Sequence, residues 1–357
     1  MRIGVDAREL CGRPTGVGRY LRGLLAQWSR DDRARRHDFV LYAPEAVSLM
    51  LDARRFATRV VAGTPGTWWE QVQAPSVAAS DHLDLWFAPG YTAPLRLRVP
   101  TVVAIHDLSF VAHPEWFRVR EGMRRRWLTR QSASHARGVL TISEFSKREL
   151  MERLDVPEPR ISVIPPGVNR RRPSHASAPR VLFVGSIFNR RHVPDLVRAF
   201  APIARVHADA SLDIVGDNRT FPREELRVTI AAEGLQDRVR WHEYVDDDQL
   251  NDLYARARAF AFLSEYEGLG LTPLEALAAG VPPVLLDTAV ARESCGDAAL
   301  YVPLGDLPRT TRALKTLLFD ERARAQILGA AQPALQRYSW PRAAAATLSL
   351  LERSASG

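Results

Sequence analysis

Two carboxylates eight positions apart, Glu267 and Glu275, bracket the stretch of this chain with the clearest chemical potential. Between them runs G-L-G-L-T-P-L, with Gly268 and Gly270 in a loop and a short helix expected to start near Pro273 and to end at Gly280. Proline suits a first helical turn and glycine a helix end. Free backbone N–H groups at such a helix start attract phosphate. A carboxylate inside the helix can accept hydrogen bonds from the vicinal hydroxyls of a sugar. Together these features describe a candidate cradle for a nucleotide-linked sugar.

Other residues could serve the same chemistry. Gly185-Ser186-Ile187-Phe188-Asn189-Arg190-Arg191-His192 follows an apolar run, and its arginines fit a diphosphate, which guanidinium groups bind bidentately. His106-Asp107 follows another apolar run, Thr101–Ile105. The pair can polarise a hydroxyl or hydrogen-bond a sugar, but taken alone it reads first as an aspartate capping the next turn with a histidine packed beside it. Gly12, Gly16 and Gly18 lie in G-R-P-T-G-V-G-R-Y, where backbone could approach a ligand or simply turn; their spacing is not the G-x-G-x-x-G dinucleotide fingerprint. Ser143 is suited to cap a helix, Gly216-Asp217 ends a further apolar run, and Tyr266 could stack or pack. Trp68-Trp69-Glu70-Gln71 and Pro89-Gly90-Tyr91-Thr92 are candidate acceptor contacts or packing residues, with Trp69, Tyr91 and Asp107 the named candidates.

These residues must be held by strand ends. Apolar runs expected as strands are Arg2–Asp6, Asp38–Tyr42, Leu85–Ala88, Thr101–Ile105 and Gly138–Ile142, then Arg180–Val184, Ser211–Val215, Val239–His242, Ala259–Leu263 and Pro283–Leu286. Helical patterns such as Gly18–Trp28, Ser143–Leu154, Pro194–Val206 and Asp247–Ala257 separate most of them. Alternation of this kind predicts parallel sheets covered on both faces, with ligands at the carboxyl ends of the strands. The unperiodic N-R-R-R-P-S-H-A-S-A-P-R, residues 169–180, reads as a linker. The expected organisation is two α/β, Rossmann-like doubly wound domains, 1–172 and 173–338, facing each other across a cleft, with a helical tail at 339–357 packing back towards the first.

Composition narrows the partners. A chain of 357 residues suits two domains. The net charge of +8 is carried mostly by arginine and is compatible with phosphorylated ligands, anionic membranes or nucleic acid. No nucleic-acid-binding signature accompanies it, so no nucleic-acid partner is expected. Two cysteines far apart, Cys11 and Cys295, argue against a disulfide framework or a zinc site and for a reducing compartment. No apolar run reaches the span of a membrane and none resembles a signal peptide, so a cytoplasmic location is expected. Trp116–Arg130 interleaves arginines with Trp116, Phe117, Met123 and Trp127. It suits peripheral contact with an anionic membrane at the inner face of the cytoplasmic membrane, or a solvated helix packed on the sheet.

The chain resembles the family 4 retaining glycosyltransferases of the two-domain GT-B architecture, along nearly its whole length. The resemblance rests on Asp6-Ala7-Arg8 with Gly16-Val17-Gly18-Arg19-Tyr20, on T-V-V-A-I-H-D-L-S-F from Thr101, on T-I-S-E-F-S-K-R-E-L from Thr141, on I-P-P-G-V-N from Ile164, and on the E-x7-E stretch with its preceding S-E-Y. It implies that Gly16 and Gly18 lie by the donor diphosphate or the anomeric centre, that His106 orients the transferred sugar, and that Arg190 and Arg191 neutralise the diphosphate. Glu267 would contact the sugar and Glu275 the ribose hydroxyls, with backbone of Gly185, Gly268, Leu269, Gly270 and Leu271 also lining the donor. Departures are Arg191 where the family usually has lysine, His192 for asparagine or glycine, Pro166 for asparagine, and no proline before Glu293.

The implied reaction moves a hexose, mannose or glucose favoured, from a GDP- or UDP-linked sugar to a glycan or lipid-linked glycan. Retention is implied by the family; with no evident carboxylate nucleophile, same-face attack is favoured. No metal or cofactor is expected: arginines and a helix start can carry the phosphate charge, no Asp-x-Asp stands in a strand-end loop, and Asp246-Asp247-Asp248 reads as a helix cap. Alternatives of related architecture are a nucleotide-sugar epimerase, a phosphorylase needing a pyridoxal-phosphate lysine, and a catalytically silent sugar-nucleotide-binding homologue.

Overall fold

The computed structural model describes every residue except Arg13, Pro14, Arg170 and Gly357. Part of the Gly12–Gly16 loop, one position of the 169–180 segment and the last tail residue therefore lie outside the described residues. The chain divides into two compact units, Met1–Gly167 with Tyr338–Gly357, and Val168–Arg337.

The first unit is built on seven parallel strands: β1 (Arg2–Asp6), β2 (Asp38–Ala43), β3 (Phe56–Val60), β4 (Leu85–Ala88), β5 (Thr101–Ala104), β6 (Gly138–Thr141) and β7 (Ile161–Val163), in the order β3-β2-β1-β4-β5-β6-β7. The central strands are buried throughout, which is why they read as continuous apolar runs rather than as alternation. Strand order reverses between β1 and β4, so the loops leaving those two strands part company and open a crevice at their carboxyl ends.

The second unit carries six parallel strands: β8 (Arg180–Val184), β9 (Ser211–Val215), β10 (Val239–His242), β11 (Ala259–Phe262), β12 (Pro283–Leu286) and β13 (Leu300–Val302). Their order, β10-β9-β8-β11-β12-β13, is that of a doubly wound dinucleotide-type sheet, with its reversal between β8 and β11. The β8 and β11 loops, which carry Arg190–Arg191 and Glu267, thus flank one crevice.

Three strands have no counterpart in the sequence reading. β3 is an edge strand exposed at four of its five positions, and β7 and β13 are three-residue strands, also at sheet edges. Solvent on β3 removes the demand for apolar residues, and three residues are too few to show a run in β7 or β13. The helix expected near Pro273 begins two residues earlier and spans Leu271–Ala278, entered from Gly270 in the left-handed conformation that glycine adopts freely (φ +87°).

The segment read as a linker is not loose. Beyond Gly167 it runs along the second unit, where the Ser174 amide donates to the Ala279 carbonyl (2.7 Å) and the His175 amide to Ala255 (3.0 Å). The unit boundary therefore falls at 167/168, a few residues before the expected 172. The C-terminal helix, Trp340–Ser356, belongs to the first unit: the Trp28 indole donates to the Ala344 carbonyl (3.0 Å), and Glu352 accepts from Arg36 (2.6 Å) and pairs with His37 (3.0 Å).

Candidate active site

In the second unit, charge gathers at the β8/β11 reversal. Arg191 closes a short helical turn, Asn189–Arg191, directly after β8. Its Nε donates to Glu267 (2.8 Å) and its Nη1 to the Ser186 carbonyl (2.8 Å). The Ser264 hydroxyl donates to the same Glu267 oxygen (2.9 Å), and the Glu265 amide to the Arg190 carbonyl (3.0 Å). These bonds clip the arginine loop to the carboxylate loop. The Arg190 guanidinium lies 4.4 Å from the centre of the Phe188 ring, and that of Arg191 4.9 Å from the Phe262 ring, contacts that hold each flat group in one plane.

Backbone approaches backbone closely here. Gly185 and Gly216 both have strongly positive φ, and a side chain on Gly216 would collide with the Gly185 carbonyl. The close approach that the glycines permit is thus at least partly between the two loops themselves. Tyr266 is buried and packs, while Gly268 and Leu269 are buried and Gly270 and Leu271 half-buried at the helix start. Glu275 lies inside that helix, nearly buried, and its Oε2 accepts from Arg171 Nη2 at 2.8 Å. Asp246 caps the helix Asp247–Arg256 through reciprocal bonds with Gln249 (2.8 and 3.1 Å). Among the described residues no group of three or more His, Cys, Asp or Glu side chains is placed to hold a metal ion.

The first unit has its own cluster at the β1/β4 reversal. Thr15 caps the helix Gly16–Trp28 by accepting from the Gly18 amide (2.9 Å). Gly18 is needed for packing, because a side chain there would strike the Glu9 carbonyl; Gly16 faces open space. Val17 abuts Gly90, which joins the helix start to the β4 loop. His106 follows β5, buried, with Nε2 2.7 Å from the Pro89 carbonyl. A carbonyl only accepts, so Nε2 carries the proton and Nδ1 is the acceptor of this neutral ring. Burial holds the imidazole below its ordinary pKa, outweighing the Pro89 carbonyl and Asp107. Tyr20 and Tyr91 flank the ring edge-on, at 4.8 and 5.7 Å. Ser143 caps the helix Glu144–Leu154, and the Ser146 hydroxyl donates to the His106 carbonyl (3.1 Å), so that helix start also steadies the histidine.

The acceptor candidates behave differently from one another. Trp69 is fully buried, and its indole donates to the Val61 carbonyl (2.7 Å); it packs the core and presents no surface to an acceptor. It is Trp68 that lies exposed. Glu70 is buried too, accepting from Arg8 (2.6 Å) and Thr92 (2.5 Å). Asp107 accepts from Tyr91 (2.6 Å) and from both the amide and hydroxyl of Ser109 (2.9 and 2.7 Å). Burial pushes its carboxyl up, but these bonds and the Arg125 charge prevail and hold it below the usual carboxylate range. Asp107 is therefore a charged turn-organiser beside His106. Tyr91 is half-buried and held at positive φ (+66°), a conformation costly for a tyrosine.

The structure brings together Gly185, Arg190, Arg191, Glu267 and the Gly268–Leu271 loop with Glu275 in one unit, and Gly16, Tyr91, His106 and Asp107 in the other. Sequence reading missed Arg171. It stands in the run Asn169–Arg172, where nothing local separates a buried arginine from solvated ones.

Residues 14–172 match the family model described as Glycosyltransferase Family 4, and residues 178–320 the one described as Glycosyl transferases group 1. The chain is 26% identical over 280 residues to O-antigen chain mannosyltransferase B of Escherichia coli, covering 74% of this chain and 73% of that protein. It is 25% identical to the MMP alpha-(1->4)-mannosyltransferase of Mycolicibacterium hassiacum, over 98% of this chain and 91% of the relative. The crystal structure of Anabaena HepE in complex with UDP and glucose superposes with a TM-score of 0.75 over 98% of this chain and 99% of that one, at 20% identity. With both adjoining family models matched and the doubly wound sheets that such neighbours share, the chain belongs to the family 4 glycosyltransferases, sugar-transferring enzymes of the GT-B architecture.

Proposed function

We propose that the protein transfers a hexose, mannose or glucose favoured, from a UDP- or GDP-linked sugar to a glycan or lipid-linked glycan, with retention of configuration and without a metal. The observation that carries this reading is the Arg191–Glu267 pair at the β8/β11 reversal, beside the start of the helix that bears Glu275. Cleaving the bond from the anomeric carbon to the diphosphate leaves negative charge on phosphate and positive character on the sugar. Arg190, Arg191, the backbone of Gly185 and the backbone amides of Gly268–Leu271 meet the first, and Gly16 is the first unit's contribution to the diphosphate. Glu267 holds the sugar hydroxyls, Glu275 those of the ribose. His106, neutral with Nδ1 as acceptor, takes a hydrogen bond from the transferred sugar. The leaving phosphate itself accepts the proton of the acceptor hydroxyl, which enters on the same face. The mannosyl relatives and the UDP and glucose held by the structural neighbour support the donor class.

A panel of UDP- and GDP-linked hexoses, scored for binding and for slow hydrolysis with and without a chelator, tests this reading. One base and one hexose are expected to stand out, with free nucleoside diphosphate and sugar appearing at the same rate in excess chelator. Loss of turnover in chelator would remove the metal-free mechanism. Recovery of an epimeric nucleotide sugar without acceptor would replace transfer with epimerisation.

The proposal extends to a membrane surface. No helix among the described residues is long and apolar enough to cross a membrane. The helix Val119–His135 nevertheless turns Val119, Met123 and Trp127 outward at four-residue spacing, flanked by the exposed Arg118, Arg120 and Arg124, while Leu128, Thr129, Ser132 and Ala133 face inward and Arg130 pairs with Asp155 (3.1 Å). Arg125 is engaged elsewhere, its guanidinium lying over the Tyr91 and Phe110 rings (4.7 and 4.5 Å). An apolar ridge between cations fits an anionic interface. The protein should co-sediment with phosphatidylglycerol vesicles and not with phosphatidylcholine ones. The double variant Met123→Glu/Trp127→Glu should abolish this; undiminished sedimentation of that variant would count against the ridge.

A further inference from the structure

We propose that Arg171 is the positioning residue for ribose recognition: it fixes the rotamer of Glu275 by holding Oε2, so that Oε1 is presented to the vicinal hydroxyls of the nucleotide. The inference rests on the reading of Glu275 as the ribose-binding carboxylate and goes beyond it.

The first observation is burial. Arg171 lies four residues past the end of the first unit's main run, in a charged segment that composition alone would leave in solvent, yet its side chain is only 7% exposed. A buried guanidinium is costly unless something compensates it. The compensation converges on one place. Nη2 donates to Glu275 Oε2 at 2.8 Å, Nη1 to Asn251 Oδ1 at 3.4 Å, the Asp247 carboxylate stands at 4.0 Å, and the Tyr254 ring lies beneath at 5.5 Å. Attraction to Glu275 outweighs burial and drives the guanidinium pKa further up, so the cation is permanent.

The second observation is how Glu275 is shared. Arginine and carboxylate often pair through two parallel bonds. Here a single Nη2 bond engages Oε2, and Oε1 receives no hydrogen bond from any described residue. A carboxylate inside a helix that is 8% exposed would, without this cation, lose its one charged partner. Its direction would then be undetermined. Arg171 sets that direction while leaving Oε1, with two lone pairs, able to accept from a vicinal diol.

The third observation is that Arg171 is itself anchored. The segment that follows is fastened to the second unit by the Arg172–Asp252 ion pair, by the Ser174 hydroxyl on the Ala257 carbonyl (2.7 Å), and by the Ser174 and His175 amides on Ala279 and Ala255 (2.7 and 3.0 Å). Asn251 and Tyr254 belong to one helix, Asp247–Arg256, and Glu275 to another, Leu271–Ala278. The strap thus sets Arg171 against both, and ribose recognition is governed in part by the residues that leave the unit boundary.

The test compares wild type with Arg171→Met, Arg171→Lys, Glu275→Gln and the double variant Arg171→Met/Glu275→Gln. Calorimetric titrations use UDP, GDP and their 2′,3′-dideoxy counterparts, with KM and kcat measured for the donor. A hydrogen bond to a charged group is worth about 10–100-fold in affinity, so wild type should favour the ribonucleotide by roughly that ratio. Arg171→Met should remove most of the preference by weakening the ribonucleotide while leaving dideoxy binding unchanged. It should raise the donor KM more than it lowers kcat, and add nothing further to Glu275→Gln. Arg171→Lys, which keeps a cation in place should the methionine variant fail to fold, should show a smaller preference than wild type and a larger one than Glu275→Gln. Should Glu275→Gln keep the full ribose preference, the ribose assignment itself falls. Should Glu275→Gln lose it while folded Arg171→Met and Arg171→Lys both keep it, the role of Arg171 is overturned and that of Glu275 stands.

Discussion

Arg191→Ala is expected to lower kcat by about 10²–10³-fold, the loss typical of removing one well-placed donor from a developing anion. The diphosphate is already anionic in the donor and gains further charge as the bond to the anomeric carbon breaks, so the loss should fall more on kcat than on donor affinity. The geometry gives this arginine two tasks. Its Nε fixes Glu267 and its Nη1 fixes the Ser186 carbonyl, which orients the remaining fork while Phe188 and Phe262 hold its plane. Lysine keeps the positive charge but offers no planar fork to satisfy Glu267 and phosphate together. Arg191→Lys should therefore lie between wild type and Arg191→Ala. Because Arg191 and Glu267 bond each other directly, Arg191→Ala and Glu267→Gln should be strongly non-additive in a double-mutant cycle. Single-turnover measurements with the donor identified by the panel would read both. A rate within threefold of wild type for folded Arg191→Ala, a margin of about 0.65 kcal/mol, would remove this residue from the mechanism.

The second large effect is on stability. Gly167→Ala should destabilise the first unit by about 1–3 kcal/mol, the usual cost of forcing a methyl group into a packed site. Gly167 and Trp340 stand at the two ends of the excursion the chain makes into the second unit. A Cβ on Gly167 would meet the Trp340 indole and also its backbone nitrogen, closer than real Cβ atoms come. A ring could rotate away; the backbone nitrogen of a helix start cannot move without shifting the helix Trp340–Ser356. That helix in turn carries the Ala344 carbonyl that receives Trp28 and the Glu352 carboxylate that pairs with Arg36 and His37. Gly23 is crowded by the same indole ring, so the tryptophan has little room to yield on that side either. Scanning calorimetry should show the first unit's transition lowered by roughly 2–4 °C for each kcal/mol lost. An unchanged transition would mean that the helix start adjusts freely.

Several parts of this molecule were legible from residue order because they are local. Strands buried on both faces are largely apolar, and nine of the thirteen strands among the described residues announced themselves in that way; Val239–His242, at a sheet edge, was read as well although only Val239 is buried. The E-x7-E stretch, the His106-Asp107 pair and the arginines after β8 were legible for a related reason: each sits in a loop whose position is set by the strand before it. The edge strand Phe56–Val60 was not, since solvent on its face imposes no pattern. Trp69 was a candidate acceptor contact or a packing residue, and only the packing of the chain distinguished its buried indole from the exposed Trp68. Asp107 was read either as a sugar-binding partner of His106 or as a turn cap, and it caps its own turn while also accepting from Tyr91.

The sequence by itself determined the parallel α/β character of both units, the family, and which loops carry charge, because these follow from short-range periodicity and from motifs contiguous along the chain. Tertiary structure alone decided which charges meet. Arg171 and Glu275 are 104 residues apart, Arg191 and Glu267 are 76, and Gly167 finds Trp340 only when the chain returns to its first unit. Pairings over such separations leave no local imprint. An arginine destined for burial and one destined for solvent have the same neighbours until the sheets and helices that enclose one of them have formed.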